Sequence, residues 1–193
     1  MTREISDTEQ EMIDLIQPLR SACWSADYRW DKLEVSLTVL GEDWGGFEMN
    51  PDFQRGHVWT PAQQVFFVEN CLRGIVGISG MVIQFNCRNW SVEPAFSDLP
   101  PGLQCVDGLQ RFTAINEFVK GNVKPFGLSA DELKGTQFSP NKLFMKVEIH
   151  DFSTRAELLS HYLSINAGGT PHSADEITRV RELLTLAKAT CKV

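Results

Sequence analysis

The residues with the most chemistry to offer lie in one run, Gln104-Cys105-Val106-Asp107-Gly108-Leu109-Gln110-Arg111-Phe112-Thr113. An apolar stretch stops at Asp107-Gly108, and Phe112, Ile115, Phe118 and Val119 then recur at helical spacing. The pattern predicts a short strand that turns straight into a helix. At such a junction the first backbone N–H groups of the helix have no partner and point toward any bound anion. Asp107 adds a carboxylate, Gly108 close approach to the backbone, Gln110 an amide and Arg111 a guanidinium. That is the chemistry of a phosphate site with an acid/base group beside it. The same residues also fit a plain helix start, because Asp107 followed by Gln110 has the form of a cap with its reciprocal amide. On that reading Arg111 is only a solvated helix residue.

Two other stretches carry comparable ambiguity. Gln54-Arg55-Gly56 puts a planar guanidinium beside a glycine, which suits a two-pronged grip on phosphate or carboxylate. The plain alternative is a surface arginine. Asn166-Ala167-Gly168-Gly169-Thr170 is either a helix end with a turn or a loop that brings backbone N–H groups up to an anion. Trp24, Tyr28 and Trp30 are close enough together to be a base-stacking platform, but aromatic residues of this kind are more often core anchors, and that is the expectation here.

The elements that must position these groups can be followed along the chain. Ser6-Asp7-Thr8-Glu9 has the form of a capping box and opens a helix to about Arg20, with Met12, Ile13, Leu15, Ile16 and Leu19 on its apolar side. A second helix is expected over 31–40, a loop from Gly41 to Gly46, and a brief strand at Phe47 to Met49. Thr60 and Gln63 cap a helix with Pro61 at its first position; it runs to about Arg73 and turns Val65, Val68 and Leu72 inward. Strands are expected at Met81 to Phe85, at Ser91 to Phe96 and at Leu143 to Ile149. A small capped turn covers Ser129 to Leu133, Ser153 opens a helix to Ile165, and Ser173 opens the last one, to about Lys188. The fold expected is a single compact α+β domain, a small mixed sheet of roughly four to six strands flanked by helices.

Composition narrows the classes. With 193 residues, 42% of them hydrophobic and 22% charged, the chain can bury a real core and wholesale disorder is not expected. No run approaches the ~20 apolar residues of a membrane span, and the polar start, Met1-Thr2-Arg3-Glu4, is not expected to be a signal peptide. Five scattered cysteines without a Cys-x-x-Cys pair fit reduced thiols in the cytoplasm, and the four histidines lack metal-ligand spacing. Mg²⁺ arriving on a nucleotide stays open, since it needs few protein ligands. A net charge of −7 speaks against a protein that coats DNA non-specifically, yet it leaves room for a local basic cleft.

Three motifs follow one another in a telling order: Pro51-Asp52-Phe53-Gln54-Arg55 with Trp59, then Val106-Asp107-Gly108-Leu109-Gln110-Arg111-Phe112-Thr113-Ala114, then Ile165-Asn166 with Gly168-Gly169-Thr170-Pro171. From about Trp24 to Glu176 the chain resembles the N-terminal domain of the GmrSD and SspE defence proteins, of the ParB/sulfiredoxin-like superfamily. The central motif of that family is Asp-Gly-Gln-Gln-Arg, and here Leu109 stands in place of the first glutamine. The resemblance implies a ParB/sulfiredoxin-like domain that binds a nucleoside triphosphate, ATP foremost, with Mg²⁺, and cleaves or transfers a phosphoryl group. It implies a nucleotide site made of Asp107, Gly108, Gln110 and Arg111 with Gln54 and Arg55 beside it, closed by Asn166, Gly168, Gly169 and Thr170. Asp107, Arg111 and Arg55 are its expected catalytic groups.

Family defence proteins usually carry a further nuclease domain, whereas this chain ends about where the domain does. The expectation is therefore a lone phosphotransferase acting on nucleic acid, most sharply a kinase of hydroxymethylated pyrimidine bases in phage DNA. DNA is then the acceptor, the compartment is the (host) cytoplasm, and no membrane is involved. The alternative is an NTP-hydrolysing sensor that regulates a separate nuclease or other protein partner. A ParB-like nuclease comes third, for want of a carboxylate cluster able to hold two metals. On any of these readings Asp107 should sit at the start of a helix, and Arg55 and Arg111 should share one cleft.

Overall fold

The computed structural model of the chain describes residues 6–166 and 174–190. Its strands are β1 (Trp24–Arg29), β2 (Phe47–Glu48), β3 (Val82–Asn86), β4 (Leu103–Asp107) and β5 (Phe144–His150). Its helices are α1 (Asp7–Ile16), α2 (Leu33–Trp44), α3 (Pro61–Leu72), α4 (Leu109–Val119), α5 (Arg155–Asn166) and α6 (Ala174–Thr190). The strands form one mixed sheet in the order β1-β5-β3-β4-β2. β1 runs antiparallel to β5 and β3 antiparallel to β4, while β3–β5 and β2–β4 are parallel pairs.

The sheet divides the apolar interior in two, because successive side chains of a strand point to opposite faces. Met145, Val147 and Ile149 of β5 and Cys105 of β4 belong to one cluster, together with Leu37 of α2, Val68 of α3 and Phe112, Ile115 and Phe118 of α4. Val106, the next residue of β4, belongs to the other, with Phe53, Leu158, Leu159 and Tyr162 of α5 and Val180 of α6. The result is helices on both sides of a mixed sheet. Among the described residues no helix is long and apolar enough to cross a membrane.

Several expectations need correction. Ser6 caps α1 as read, with the Glu9 N–H donating to its Oγ at 3.3 Å, but the helix stops at Ile16 and not near Arg20. Pro18 disfavours helical backbone at the residue before it, and Gln17 swings to the left-handed region. None of α1 is buried, and its apolar side is open to solvent, Leu15 being 85% exposed. α2 runs through Gly41 to Trp44, because a buried glycine serves packing: a Cβ at Gly41 would lie 2.6 Å from that of Phe47. Residues 91–96 form no strand; Val92 and Phe96 are exposed, so the alternation there has no face to bury. Thr154, not Ser153, caps α5, its Oγ1 accepting from the Glu157 N–H at 3.3 Å.

The early aromatic residues are core anchors. Trp24 packs on Trp90 at 5.1 Å, Trp90 on Trp44 at 4.7 Å, and Trp30 meets Phe118 edge-on. Trp24 also begins β1, an element absent from the sequence reading. The Thr60–Gln63 capping box of α3 is present in full.

Candidate functional site

The site grows from an irregularity at the end of β4. Gln84 pairs with Asp107 and Phe85 with Cys105, which leaves Val106 as an extra residue between them. Such a bulge re-aims the strand and takes its carbonyls out of the ladder. Gln54 uses that: its Nε2 donates to the carbonyls of Cys105 (3.1 Å) and Val106 (2.8 Å). The strand then turns into α4 within one residue. Gly108 stands at φ +101°, and a Cβ there would lie 3.0 Å from Cα of Ile83, so glycine alone makes this turn.

This geometry overturns the cap reading. The residue that caps α4 is Gly108, with no side-chain hydrogen bond to the first turn. The Asp107 carboxylate instead accepts from the Arg111 guanidinium one helical turn on. Gln110 does not reach back to the cap either. Its Nε2 donates to the Gly56 carbonyl at 2.7 Å, and its Oε1 accepts from the N–H groups of Val58 (3.0 Å) and Trp59 (3.1 Å). Gln110 is thus a staple between α4 and the loop that carries Arg55, a loop turned sharply at Gly56, φ +72°.

The same loop is fastened from the other side of the sheet. Phe53 is fully buried and meets Tyr162 of α5 edge-on at 5.3 Å. Arg179 of α6 donates to the carbonyls of Asp52 (2.8 Å), Phe53 (3.3 Å) and Gln54 (3.0 Å). Arg55 itself lies 3.7 Å from the Glu176 carboxylate of α6.

These fasteners close a cleft of about 230 Å³ whose lining includes Gln54, Arg55, Trp59, Asp107, Gly108, Gln110, Arg111, Tyr162 and Asn166. The two arginines of separate motifs therefore share one cleft, at the start of a helix. Both are ion-paired, Arg111 with Asp107 of the lining and Arg55 with Glu176. The side chains of Arg111 and Asp107 are 20% and 41% exposed, and those of Arg55 and Glu176 18% and 25%. The Nε of Arg111 is buried without a hydrogen-bond partner among the described residues. Tyr162 is almost wholly enclosed, and burial pushes its phenol up to about 12, so it remains an O–H donor at neutral pH.

Other expected residues fall as follows. Leu109 lies in the apolar core beneath the junction. Asn166 ends α5, lines the cleft and donates through Nδ2 to the Tyr162 carbonyl at 2.8 Å. Gly168, Gly169 and Thr170, and the Ser173 cap, lie outside the described residues. Tyr162, Glu176 and Arg179 were not singled out from the sequence. One signal was present: Tyr162 and Asn166 are four residues apart and share a helix face. Among the described residues no group of three or more histidine, cysteine, aspartate or glutamate side chains is placed to hold a metal.

No protein-family model, no curated protein and no solved structure matches the chain.

Proposed function

We propose that this chain is a nucleotide-dependent phosphotransferase acting on nucleic acid, in its sharpest form a kinase of hydroxymethylated pyrimidine bases in DNA. One observation carries the reading: a cleft at a helix start holds two arginines from distant motifs and a carboxylate. Two guanidinium groups beside a helix start are a seat for an oxyanion, because their N–H groups donate charge-assisted hydrogen bonds. Arg111 and Arg55 hold phosphate oxygens, and the first N–H groups of α4 add their partial positive charge. Asp107 orients the acceptor hydroxyl and takes its proton.

The cleft is smaller than the ~300–1,000 Å³ of sites that engulf a drug-sized ligand, so it suits the phosphate end of a nucleotide. Trp59 at its wall offers a ring face to a base. ATP, when bound, supplies the phosphoryl group and brings Mg²⁺ on its own oxygens, since Asp107 and Glu176 already face guanidinium groups. The likeness of the three motifs to the ParB/sulfiredoxin-like family adds the nucleotide donor and the DNA acceptor. The four cysteines among the described residues are free thiols, which fits the reducing cytoplasm in which such a donor is found.

The test is a label-transfer assay with γ-labelled nucleotides, Mg²⁺ and DNA with or without hydroxymethyl bases. Label on the modified DNA is the expected result. Label released only as free phosphate would favour the sensor that hydrolyses nucleotide for a protein partner. Label that stays on the nucleotide throughout would overturn both.

A further inference from the structure

Trp59 of the phosphate cleft stands just before α3. The other end of that helix, ~18 Å along its axis, borders a second hollow of about 560 Å³. Leu72 and Arg73 wall it at the end of α3, and Phe126, Leu128, Leu133 and Phe138 wall it from the segment 126–138. Its volume falls in the ~300–1,000 Å³ range of small-molecule sites, whose usual lining is apolar with a few polar groups. Phe126, Leu128 and Phe138 are 47%, 39% and 39% exposed, so the chain leaves this apolar wall open to an occupant.

One charge faces that wall. Arg73 lays its guanidinium over the Phe126 ring, 4.7 Å from the centroid. Glu69, one turn earlier on α3, has the spacing of an ion-pair partner. Its carboxylate instead accepts from the Phe126 N–H at 2.9 Å. Among the described residues Arg73 therefore meets no carboxylate, and a guanidinium held flat on a ring keeps N–H edges for an oxygen acceptor. The contact from Glu69 also fixes Phe126 at φ +53°, a left-handed backbone that favours glycine. Gly127 follows at φ +79°, so the turn holds an aromatic ring at the one of its two left-handed positions where backbone strain opposes it. We propose that this groove binds a small amphiphilic carboxylate, its apolar body against Phe126, Leu128 and Phe138 and its acid head on Arg73. Charge complementarity selects that ligand: the lining has one cation and no carboxylate, so an anionic head gains a partner that a neutral head does not.

The probes are decanoate and its neutral counterpart decanol, each titrated against the whole chain by displacement of the fluorescent dye anilinonaphthalene sulfonate. Decanoate should displace the dye and bind more tightly than decanol. Arg73→Gln should weaken decanoate roughly three- to tenfold, the scale of one partly screened charged contact, and leave decanol unchanged. Phe126→Gly removes the ring and relaxes the left-handed backbone, so the chain should stay folded while both ligands weaken. Leu15→Ser, on the exposed side of α1, should alter neither affinity. A wild-type chain that binds decanoate no better than decanol, or an equal loss of both in Arg73→Gln, would overturn the carboxylate head. Undiminished binding in Phe126→Gly and in Phe138→Ser would overturn the groove as the site. A dimer in sedimentation that decanoate leaves intact and Phe138→Ser breaks apart would give the groove to a second copy of the chain, and would overturn the proposal as well.

Discussion

The two arginines of the cleft are held in opposite ways. Arg111 leaves the first turn of α4, and its partner Asp107 stands one turn back, so a single strand–helix junction sets both. Arg55 lies on an irregular loop whose place depends on Gln54 against β4, Gln110 from α4, Phe53 against α5 and Arg179 from α6. One guanidinium is positioned by local geometry and the other by fasteners from four separate elements. The first arrangement should therefore survive damage that displaces the second, and chemistry and binding should fail separately. The variants below test that division, from the largest effect to the smallest.

Asp107→Asn attacks the local pair. Since Asp107 caps nothing, its replacement costs only a part-buried pair at i,i+4, worth up to about 1 kcal/mol, and the melting temperature should fall by no more than ~4 °C. Phosphoryl transfer should fall by ~10²–10⁴, the contribution of a general base. A variant that melts normally and turns over at the wild-type rate would reduce Asp107 to a holder of Arg111.

Gln110→Ala attacks the fastener between the two arginines. It removes one donor and one acceptor that together serve Gly56, Val58 and Trp59, and leaves backbone groups of that loop without partners. The expected destabilisation is about 1–3 kcal/mol, read as a lowered melting temperature. Nucleotide affinity should fall because Arg55 drifts, while helix content by circular dichroism stays the same. Unchanged affinity would mean that the loop holds Arg55 without Gln110.

How much of this was legible in the sequence follows the same division. The β4–α4 junction, the capping box of α3 and the core side of α4 were readable because each depends on residues within one or two turns of each other. Even there, Asp107 with Gln110 was ambiguous: the same spacing serves a cap or a staple, and the left-handed Gly108 decided it. The Arg55 side was visible only as a motif. Its fasteners Tyr162, Glu176 and Arg179 come from helices that the chain reaches more than a hundred residues later, and no local period announces such a contact. Glu176 fitted a capping box by its spacing from Ser173, and that fit masked its place opposite Arg55. Pro18 was a readable stop for α1, whereas β1 was hidden behind its aromatic residues.

Acid should loosen the side that carries these later helices. His150 ends β5, stacks on Phe152 and lies 4.5 Å from His161 of α5. Burial pushes the His150 imidazole down to about 4 and lowers that of His161 as well. The unfolded chain takes up these protons near pH 6.5, whereas folded His150 refuses its own until about 4. Stability is therefore flat above about pH 6.5 and declines as pH falls from there toward 4. Melting curves over that window should show the decline, and His150→Phe should make it shallower. An equal slope in the variant would mean that other groups govern the acid response.

The smallest effect is expected for Arg179→Ala. Arg179 is largely exposed, and its guanidinium donates to the carbonyls of Asp52, Phe53 and Gln54. Charged donors contribute about 1.5–3 kcal/mol when enclosed, but solvent screens this one and water can serve the freed carbonyls, so roughly 0.5–1 kcal/mol is expected. For a chain of this size that lowers the melting temperature by ~1–4 °C. The loop keeps its Gln54 and Gln110 contacts and shifts only slightly. Arg55 then grips the phosphate less well, and KM for nucleotide should rise about two- to fivefold, the kinetic equivalent of that energy. Asp107 and Arg111 are set by their own junction and do not feel the change, so kcat should hold. That separation of KM from kcat mirrors Asp107→Asn, where kcat should fall with binding intact. Should Arg179→Ala depress kcat as deeply as Asp107→Asn does, Arg55 would be part of the chemical step itself, and the two arginines would be a single unit despite their different anchors.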